Sequence, residues 1–464
     1  MARIFPFILL ISSLLATNTF AQSNDVDALM VKKIYDHTLK SGKCYDWLEY
    51  LSTDIGGRLA GSHNAESAVQ YTKSLMQEMS LDRVSLQECM VPHWIRGNKE
   101  VVEIINSPSL GIKKLNSLAL GNSIGTGAKG ISAQVIEVKS LDEVKELGKG
   151  KIEGKIVFYN RPMDPTKIKT FHAYGGAVDQ RGSGPAVAAE YGAVATIVRS
   201  MTTRLDDIPH TGVTVYKEGV RKIPALAIST NDAELLSDLL TKEKVKLYIE
   251  NTSEMLAPKT SYNVIGEITG STFPDEIILV GGHLDSWDVG GGAHDDGAGC
   301  VHAMQVMQTL IELDYKPKRT IRCVMFMNEE NGLAGGKKYA EASNQESEFH
   351  LAAIESDAGG FTPRGFGFSA EEAVFKDFYN NILEWSPLLE PYGIHFEVGG
   401  GGADINPLKS QQGMLIGLRP DSQRYFDYHH TAIDLIGAVN KRELELGAAA
   451  MTSLVYLIDN YGLK

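Results

Sequence analysis

The chain has few cysteines and few basic residues, and both shortages exclude classes of protein. Four cysteines in 464 residues are too few for a disulfide framework, and none has the C-x-x-C spacing of a structural zinc site. The net charge of −13 argues against nucleic acid and anionic membranes as partners, because both need a basic surface. A Walker A motif is also absent from the sequence, which argues against P-loop nucleotide chemistry.

Long hydrophobic runs are missing after the N-terminus. The first residues contain one arginine, an apolar stretch over residues 4–16 and small residues up to Ala21, which together indicate a secretory signal peptide over residues 1–21. The stretch is short for a membrane span, so cleavage is favoured over an uncleaved anchor. We therefore expect a secreted or periplasmic protein that has no membrane partner once the signal is removed.

What the sequence does contain is three regions of different pattern. Residues 25–90 have helical spacing, interrupted at GGRLAGS, and short β-type runs separated by glycine and proline follow. From Tyr262 onward, strand and helix patterns alternate, which predicts a mostly parallel sheet with helices on both faces. The predicted division is an N-terminal helical part over 22–94, an inserted β-rich domain over 95–257 and an α/β catalytic domain over 258–464.

The predicted strands of the third region lead directly into histidine and carboxylate residues. EIILVGG precedes a His-Leu-Asp sequence, TIRCVMFM precedes Asn-Glu-Glu, LAAI precedes Glu-Ser-Asp, and MLIGL is followed after a loop by Tyr-His-His-Thr. Because ligands bind beyond the carboxyl ends of strands in open α/β sheets, these groups are expected at one edge. The candidates are His283, Asp285, Asp295, Asp296, Glu329, Glu330, Asp357, His429 and His430.

Imidazoles and carboxylates without thiolates are ligands typical of zinc or a similar divalent ion. One structural zinc takes four ligands, whereas this set has enough members for two ions that share a carboxylate. In two-metal sites a bound water has a lowered pKa, and a nearby unligated carboxylate can accept its proton. Glu329 and Glu330 are expected to divide these tasks, one as base and one as ligand. The pattern therefore predicts metal-assisted hydrolysis.

The stretches GHLDSWDVGGGAHDDGAG, NEENG, ESDAGG and YHHTAID closely resemble the di-zinc exopeptidases of the bacterial leucyl aminopeptidase and glutamate carboxypeptidase type. The resemblance implies a phosphorylase/hydrolase-like α/β fold with an inserted protease-associated domain, two zinc ions per chain, small peptide substrates and a homodimer. It also implies a cis peptide bond after the bridging aspartate. By resemblance, one zinc is held by His283, Asp357 and Asp295, and the other by Glu330, His430 and the same Asp295. Glu329 is implied to be the general base, and Asp285 to orient His283.

The resulting hypothesis is a secreted zinc metallopeptidase that hydrolyses dipeptides or removes terminal residues from short peptides. Three alternatives stay open at this stage: an aminopeptidase acting on longer peptides, a non-enzymatic receptor-like binding protein on the same scaffold, and a single-zinc relative of the glutaminyl cyclase kind. Residues near the site give further expectations. His294 is expected to line the site mouth, the loop ending at Asp404 to contact substrate, and His210 to reach the cleft or cap a loop. A bridge between Cys44 and Cys89 is conceivable.

Overall fold

The structure is a computed structural model that describes residues 25–463. The signal peptide predicted over residues 1–21 lies outside the described residues. Within them, every helix is too short or too polar to cross a bilayer.

Sixteen strands form in the described part of the chain, and they make two separate eight-stranded sheets. In chain order they are β1 Arg83–Ile95, β2 Glu100–Ser107, β3 Gly111–Leu115, β4 Ser117–Ala119, β5 Ile131–Val138, β6 Ile156–Tyr159, β7 Ala195–Arg199, β8 Ala225–Ile228, β9 Lys246–Asn251, β10 Glu254–Ile268, β11 Phe273–His283, β12 Arg319–Phe326, β13 Phe349–Glu355, β14 Pro363–Ser369, β15 His395–Val398 and β16 Met414–Pro420.

Within the described residues, helices lie before β1, after β16 and in six of the fifteen intervals between consecutive strands. They are α1 over residues 25–41, α2 Cys44–Glu49, α3 His63–Glu78, α4 Leu141–Leu147, α5 Lys149–Ile152, α6 Thr170–Gly175, α7 Asp179–Gly182, α8 Gly184–Glu190, α9 Thr230–Lys242, α10 Ala298–Glu312, α11 Ala334–Gln345, α12 Glu372–Leu383, α13 Ser386–Leu389, α14 Tyr425–Tyr428 and α15 Lys441–Tyr461. Shorter helical turns lie at Tyr50–Ile55, Ala293–Gly297, Glu390–Tyr392, Asn406–Gln411 and Ile436–Ala438.

The first sheet has the strand order β1-β10-β12-β11-β13-β16-β14-β15. Its four central strands, β12, β11, β13 and β16, run parallel to one another, while β10 and β14 pair antiparallel on either side. Parallel strands end at a common edge, so the residues that follow β11, β12 and β13 meet there. This edge carries the candidate site.

Both faces of this sheet are buried, which explains the nearly continuous apolar runs of its central strands. On β11, Ile278 and Val280 belong to the core that contains α10 and α15, whereas Leu279 belongs to a core on the opposite face with α11. On β12, Cys323 and Val324 divide between the faces in the same way. The predicted α/β class, with helices on both faces of a mostly parallel sheet, is confirmed.

The second sheet has the order β3-β2-β9-β5-β6-β7-β8-β4, and its strands all lie between Glu100 and Asn251. Strands β5 to β8 are parallel. Val157 and Tyr159 of β6 face one core while Ile156 and Phe158 face another, so this sheet is also covered on both sides. Its chain enters through β1 and returns through β10, which pair antiparallel, with Ile95 opposite Glu254.

The structure corrects the sequence analysis in several places. Residues 83–95 form strand β1, although helical spacing was expected to continue to residue 90. Strand β1 pairs with β10 along its length, and this long-range pairing outweighs the local spacing. Strand β14 was not predicted because PRGFGFS is rich in glycine and proline, and β15 was not predicted because it has only four residues. The conceivable bridge does not form, since all four cysteines are free and buried.

Candidate metal centre

Five chain segments meet at the carboxyl edge of the first sheet. In the parallel register His283 is level with Phe326 on β12, and Gly281 is level with Glu355 on β13. The side chains that leave these strand ends therefore converge with the turn before α10 and the loop after α14. The converging residues are His283, Asp295, Glu329, Glu330, Asp357 and His430.

Asp295 lies at the centre of this group and faces two separate sets of side chains. Its Oδ1 is 3.3 Å from Nε2 of His283, whose Nε2 is also 3.6 Å from Oδ1 of Asp357. Its other oxygen, Oδ2, is 3.3 Å from Nε2 of His430, which lies 3.1 Å from Oε2 of Glu330. The two oxygens thus point to two triads that share Asp295. The peptide bond after Asp295 is cis, as the resemblance implies.

The carboxylates and imidazoles shift one another's pKa values strongly. Burial opposes the charge on Asp295, but His283 and His430 hold the pKa of Asp295 well below its usual range. Burial and the neighbouring Asp295 raise the pKa of Glu330 to about 7. Burial alone would lower the pKa of His430, yet Glu330 and Asp295 raise it to about 9. Such crowding of buried charges is typical of functional sites.

The donor set fits divalent cations better than it fits an internal ion-pair network. Oδ2 of Asp295 and Oε1 of Glu330 are buried and accept no hydrogen bond from the described residues. A buried carboxylate oxygen without a donor is costly, and a cation relieves that cost. Imidazole Nε2 atoms and carboxylates without thiolates match the preferences of zinc.

Asp285 is fully buried and binds mainly the segment that carries the two glutamates. Its Oδ1 accepts the backbone N–H groups of Asn328 at 2.7 Å and Glu329 at 3.0 Å, and its Oδ2 accepts that of Glu330 at 3.4 Å. The Nδ1 of His283 lies 3.0 Å from the backbone oxygen of Asp285 and 3.7 Å from its carboxylate. The expected contact with His283 therefore exists, but it is made chiefly by the main chain.

Glu329 differs from Glu330 in that it is partly exposed and lines a cavity of about 750 Å³. Burial, Asp357 and Glu330 raise its pKa well above the usual range. Tyr174 and Arg181, from the part of the chain that forms the second sheet, line the same cavity. The Nη2 atom of Arg181 donates to the Tyr174 hydroxyl at 2.7 Å. The cavity is large enough for a short peptide beside the proposed base.

Asp296 and His429 also lie within reach of the centre: Asp296 forms a group of possible metal ligands with His283 and Asp357, and His429 forms another with Asp295 and His430. The two oxygens of Asp296 accept the backbone N–H groups of His283 and Gly299, both at 3.0 Å. His429 is stacked on His430 at 3.5 Å between ring centroids, and its Nε2 is 3.7 Å from Oδ2 of Asp295.

The expectations for three neighbouring residues change. His294 is fully buried and stacked on Phe361, with Nδ1 accepting the N–H of Gly360, so it does not line the site mouth. Asp404 is fully buried as well, and its loop packs against Glu355 instead of presenting Asp404 to a substrate. His210 is buried; burial first, and then the charge of His430, lower its pKa to about 3, while a backbone hydrogen bond with His429 opposes the shift.

The sequence did not single out two residues that support the centre, Arg58 and Asp434, although both lie in motifs quoted above. Arg58 of GGRLAGS is fully buried and donates to the carbonyl oxygens of Leu284, Gly291 and Gly292 at 2.6, 2.7 and 3.0 Å. Asp434 of YHHTAID accepts the backbone N–H groups of His294 and Asp295 at 2.7 and 3.1 Å. Together they fix the loop that ends at Asp295.

Comparison with known proteins identifies the class. The chain is 34% identical to carboxypeptidase Q of Mus musculus over 422 residues, which are 90% of this chain and 85% of that protein. It is 35% identical to carboxypeptidase Q of Xenopus laevis over 434 residues, covering 92% and 89%. The peptidase M28 precursor of Shewanella amazonensis superposes with a TM-score of 0.88 at 34% identity, covering 94% of this chain and 97% of that one. A zinc aminopeptidase of Bacillus subtilis shares the fold, with a TM-score of 0.63 at 19% identity over 89% and 94%.

Fold and relatives together define a metallo-exopeptidase, a hydrolase, and this confirms the predicted class of enzyme. Residues 263–455 match the sequence profile of peptidase family M28. The chain belongs to peptidase family M28, and its sequence is similar to carboxypeptidase Q along nearly its whole length.

Proposed function

We propose that the enzyme is a zinc peptidase that hydrolyses dipeptides or removes terminal residues from short peptides, and that it acts outside the cytoplasm after loss of residues 1–21. The observation that carries the proposal is the position of Asp295, whose two oxygens each lie 3.3 Å from the Nε2 atom of a different histidine. His283, Asp357 and Asp295 would hold one zinc, and Glu330, His430 and Asp295 the other. When bound, zinc supplies Lewis-acid polarisation of the scissile carbonyl and a lowered pKa for water.

The residues of the chain divide the remaining work. Glu329 is free of the two triads and faces the cavity, so it accepts the proton of the attacking water and returns it to the leaving amine. Asp285 is a positioning residue, because its carboxylate holds the backbone of Asn328, Glu329 and Glu330.

The segment over residues 95–257 is proposed to be a protease-associated domain inserted in the catalytic domain. It contributes Phe171, Tyr174 and Arg181 to the cavity wall, which supports a role in enclosing the substrate. We further propose a homodimer, which sedimentation or light scattering on the purified protein would test.

A metal analysis and a peptide screen on one sample test the main proposal. Two zinc ions per chain are expected, together with hydrolysis of dipeptides that have free termini. Matched substrates blocked at the N-terminus or at the C-terminus distinguish a dipeptidase or carboxypeptidase from an aminopeptidase acting on longer peptides. One metal per chain would refute the assignment of the two triads. Absence of peptide hydrolysis by the zinc-loaded enzyme would refute the activity.

A further inference from the structure

A second cleft borders the candidate centre on the side of Asp357. It has a volume of about 520 Å³, and it shares Phe171 and Asp357 with the larger cavity. Glu329 lines the larger cavity but not this cleft. The cleft therefore adjoins the centre on the side away from Glu329.

The wall of the cleft contains an arginine held in a slot of glycines. The side chain of Arg419, at the end of β16, lies against Gly367 of β14 and Gly399 of the glycine-rich loop that precedes Asp404. A Cβ atom on Gly367 would lie 2.9 Å from the Nε and Nη2 atoms of Arg419, too close for ordinary contact. Glycine at this position thus leaves the space that the guanidinium fills.

The charge of Arg419 has no acidic partner within 4.0 Å in residues 25–463, unlike its charged neighbours. Across the same cleft Lys169 pairs with Glu397 at 2.7 Å, and Arg364 pairs with Asp421 at 3.1 Å. Among the described residues, the guanidinium of Arg419 donates only to main-chain oxygens, those of Gly400 and Leu418. Burial lowers its pKa, against the opposing effect of Glu397, Asp357 and Glu355.

A partly buried guanidinium with spare donors is a binding group for carboxylates, because its planar fork can donate two hydrogen bonds to one carboxylate. An uncompensated charge beside a cleft also carries a desolvation cost that an incoming anion offsets. The centre itself cannot supply that anion if Asp357 is engaged with a metal ion, as the proposed function requires.

We propose that Arg419 is a specificity-determining residue that binds a carboxylate of the peptide substrate in the cleft beside Asp357. The inference rests on the proposed peptidase activity and deepens it. The carboxylate can come from an acidic side chain or from the free C-terminus of the peptide. Gly367 leaves the space for the guanidinium, and the glycine-rich loop holds it through the carbonyl oxygen of Gly400.

The first experiment compares wild type, Arg419→Gln and the matched control Arg364→Gln as metal-loaded enzymes. Each is assayed on Glu-Ala against Gln-Ala, and on Ala-Ala against its C-terminal amide. Arg419→Gln is expected to lower kcat/KM about tenfold or more for one carboxylate substrate, mainly through KM, while the neutral partner of that pair changes little. The pair that responds identifies the source of the carboxylate. Arg364→Gln removes a charge from the same cleft. It is expected to keep the wild-type ratio of kcat/KM between each carboxylate substrate and its neutral partner.

A second pair of variants moves the guanidinium without removing it. Gly367→Ala places a methyl group against the Arg419 head and is expected to reduce the same substrate ratio. Gly399→Ala is the control, since its Cβ would lie 3.8 Å from Nη2 of Arg419, an ordinary contact. Melting temperature and zinc content verify that each variant is folded and loaded.

The outcomes separate the two levels of the proposal. If the loaded wild type hydrolyses none of the peptides, the proposed function fails. If wild type hydrolyses them and folded Arg419→Gln keeps both wild-type ratios, the peptidase assignment stands and the role of Arg419 is refuted. A loss of equal size on charged and neutral substrates would also refute it, because a purely structural effect is not selective.

Discussion

Two adjacent glutamates have different surroundings, and this difference supports different roles for them. Oε2 of Glu330 is 3.1 Å from Nε2 of His430, and the side chain is almost fully buried. Glu329 is partly exposed and faces the cavity. The sequence predicted one base and one ligand, and the resemblance assigned them; the geometry supports that assignment, which stays a prediction until it is measured.

Replacing Glu329 by Gln keeps the size of the side chain but removes the proton acceptor. We expect kcat to fall by about 10²–10⁴-fold, the usual contribution of a general base, while the zinc content and the melting temperature stay near wild type. Steady-state kinetics and elemental analysis on the same sample make the measurement. A variant with wild-type kcat would show that another group takes the proton.

His350 gives a prediction of pH-dependent stability at a site distant from the metal ligands. The ring is buried, with Nε2 2.7 Å from the Tyr339 hydroxyl and Nδ1 2.9 Å from Oε1 of Gln411. Burial, opposed only partly by Gln411, lowers the pKa of His350 to about 4. Between pH 6.5 and 4, the unfolded chain therefore binds a proton that the folded chain does not bind. The free energy of unfolding falls over this range as the pH is lowered.

The shift corresponds to about 3 kcal/mol lost by pH 4, with no contribution above pH 6.5. Denaturant unfolding of wild type and His350→Gln at pH 7, 6 and 5 measures it. The variant lacks the titrating ring and is expected to lose stability less steeply than wild type. Parallel curves for the two proteins would contradict the prediction.

At the scale of the element, the loop from Leu284 to Gly292 depends on Arg58. The guanidinium is fully buried and satisfies three carbonyl oxygens of this loop. Gly292 has a φ of +55° and would place a Cβ 2.3 Å from that of Ser286, so a glycine is required there. A lysine at position 58 lacks the fork and cannot satisfy all three oxygens.

Arg58→Lys is therefore expected to cost about 2–4 kcal/mol of unfolding free energy and to weaken zinc binding, because the loop leads directly to Asp295. Arg83→Lys is the matched control, since Arg83 is largely exposed and pairs with Glu267 at 2.7 Å. Denaturant unfolding and zinc titration of both variants make the test. Equal stability of the two variants would contradict the role given to Arg58.

The elements that the sequence predicted well are those with strong local patterns. Buried central strands such as β11 and β12 are continuous apolar runs, and α10 and α15 have clear helical spacing. The resemblance supplied the site residues from compact motifs. Strand β1 was missed because its pairing with β10 is not local, and the burial of His294 and Asp404 depends on contacts with distant segments. The unpaired charge of Arg419 is likewise visible only in three dimensions.

At the scale of the whole molecule, the cluster of carboxylates links metal binding to stability. Asp295, Glu330 and Asp357 lie close together, and Glu329 adds a further carboxylate beside them. Without cations these groups repel one another or must bind protons, whereas zinc neutralises them only in the folded chain.

Removal of metal by a chelator is therefore expected to lower the melting temperature at pH 7, and added zinc is expected to restore it. At free zinc a thousandfold above Kd, the stabilisation is about 4 kcal/mol. Differential scanning calorimetry of the stripped and reloaded protein measures the change, with magnesium as the control ion. Identical melting curves with and without zinc would show that the cluster binds no metal.

The antiparallel pairing of β1 with β10 has a consequence for how such a chain can change length. Ile95 and Glu254 lie opposite each other, so the 158 residues between them leave and rejoin the sheet about 5 Å apart. A tight turn could bridge the same gap. Loss or exchange of that whole stretch would leave the hydrogen-bonded ladder of the first sheet uninterrupted, so the hydrolytic framework and the part that covers it can diverge at separate rates.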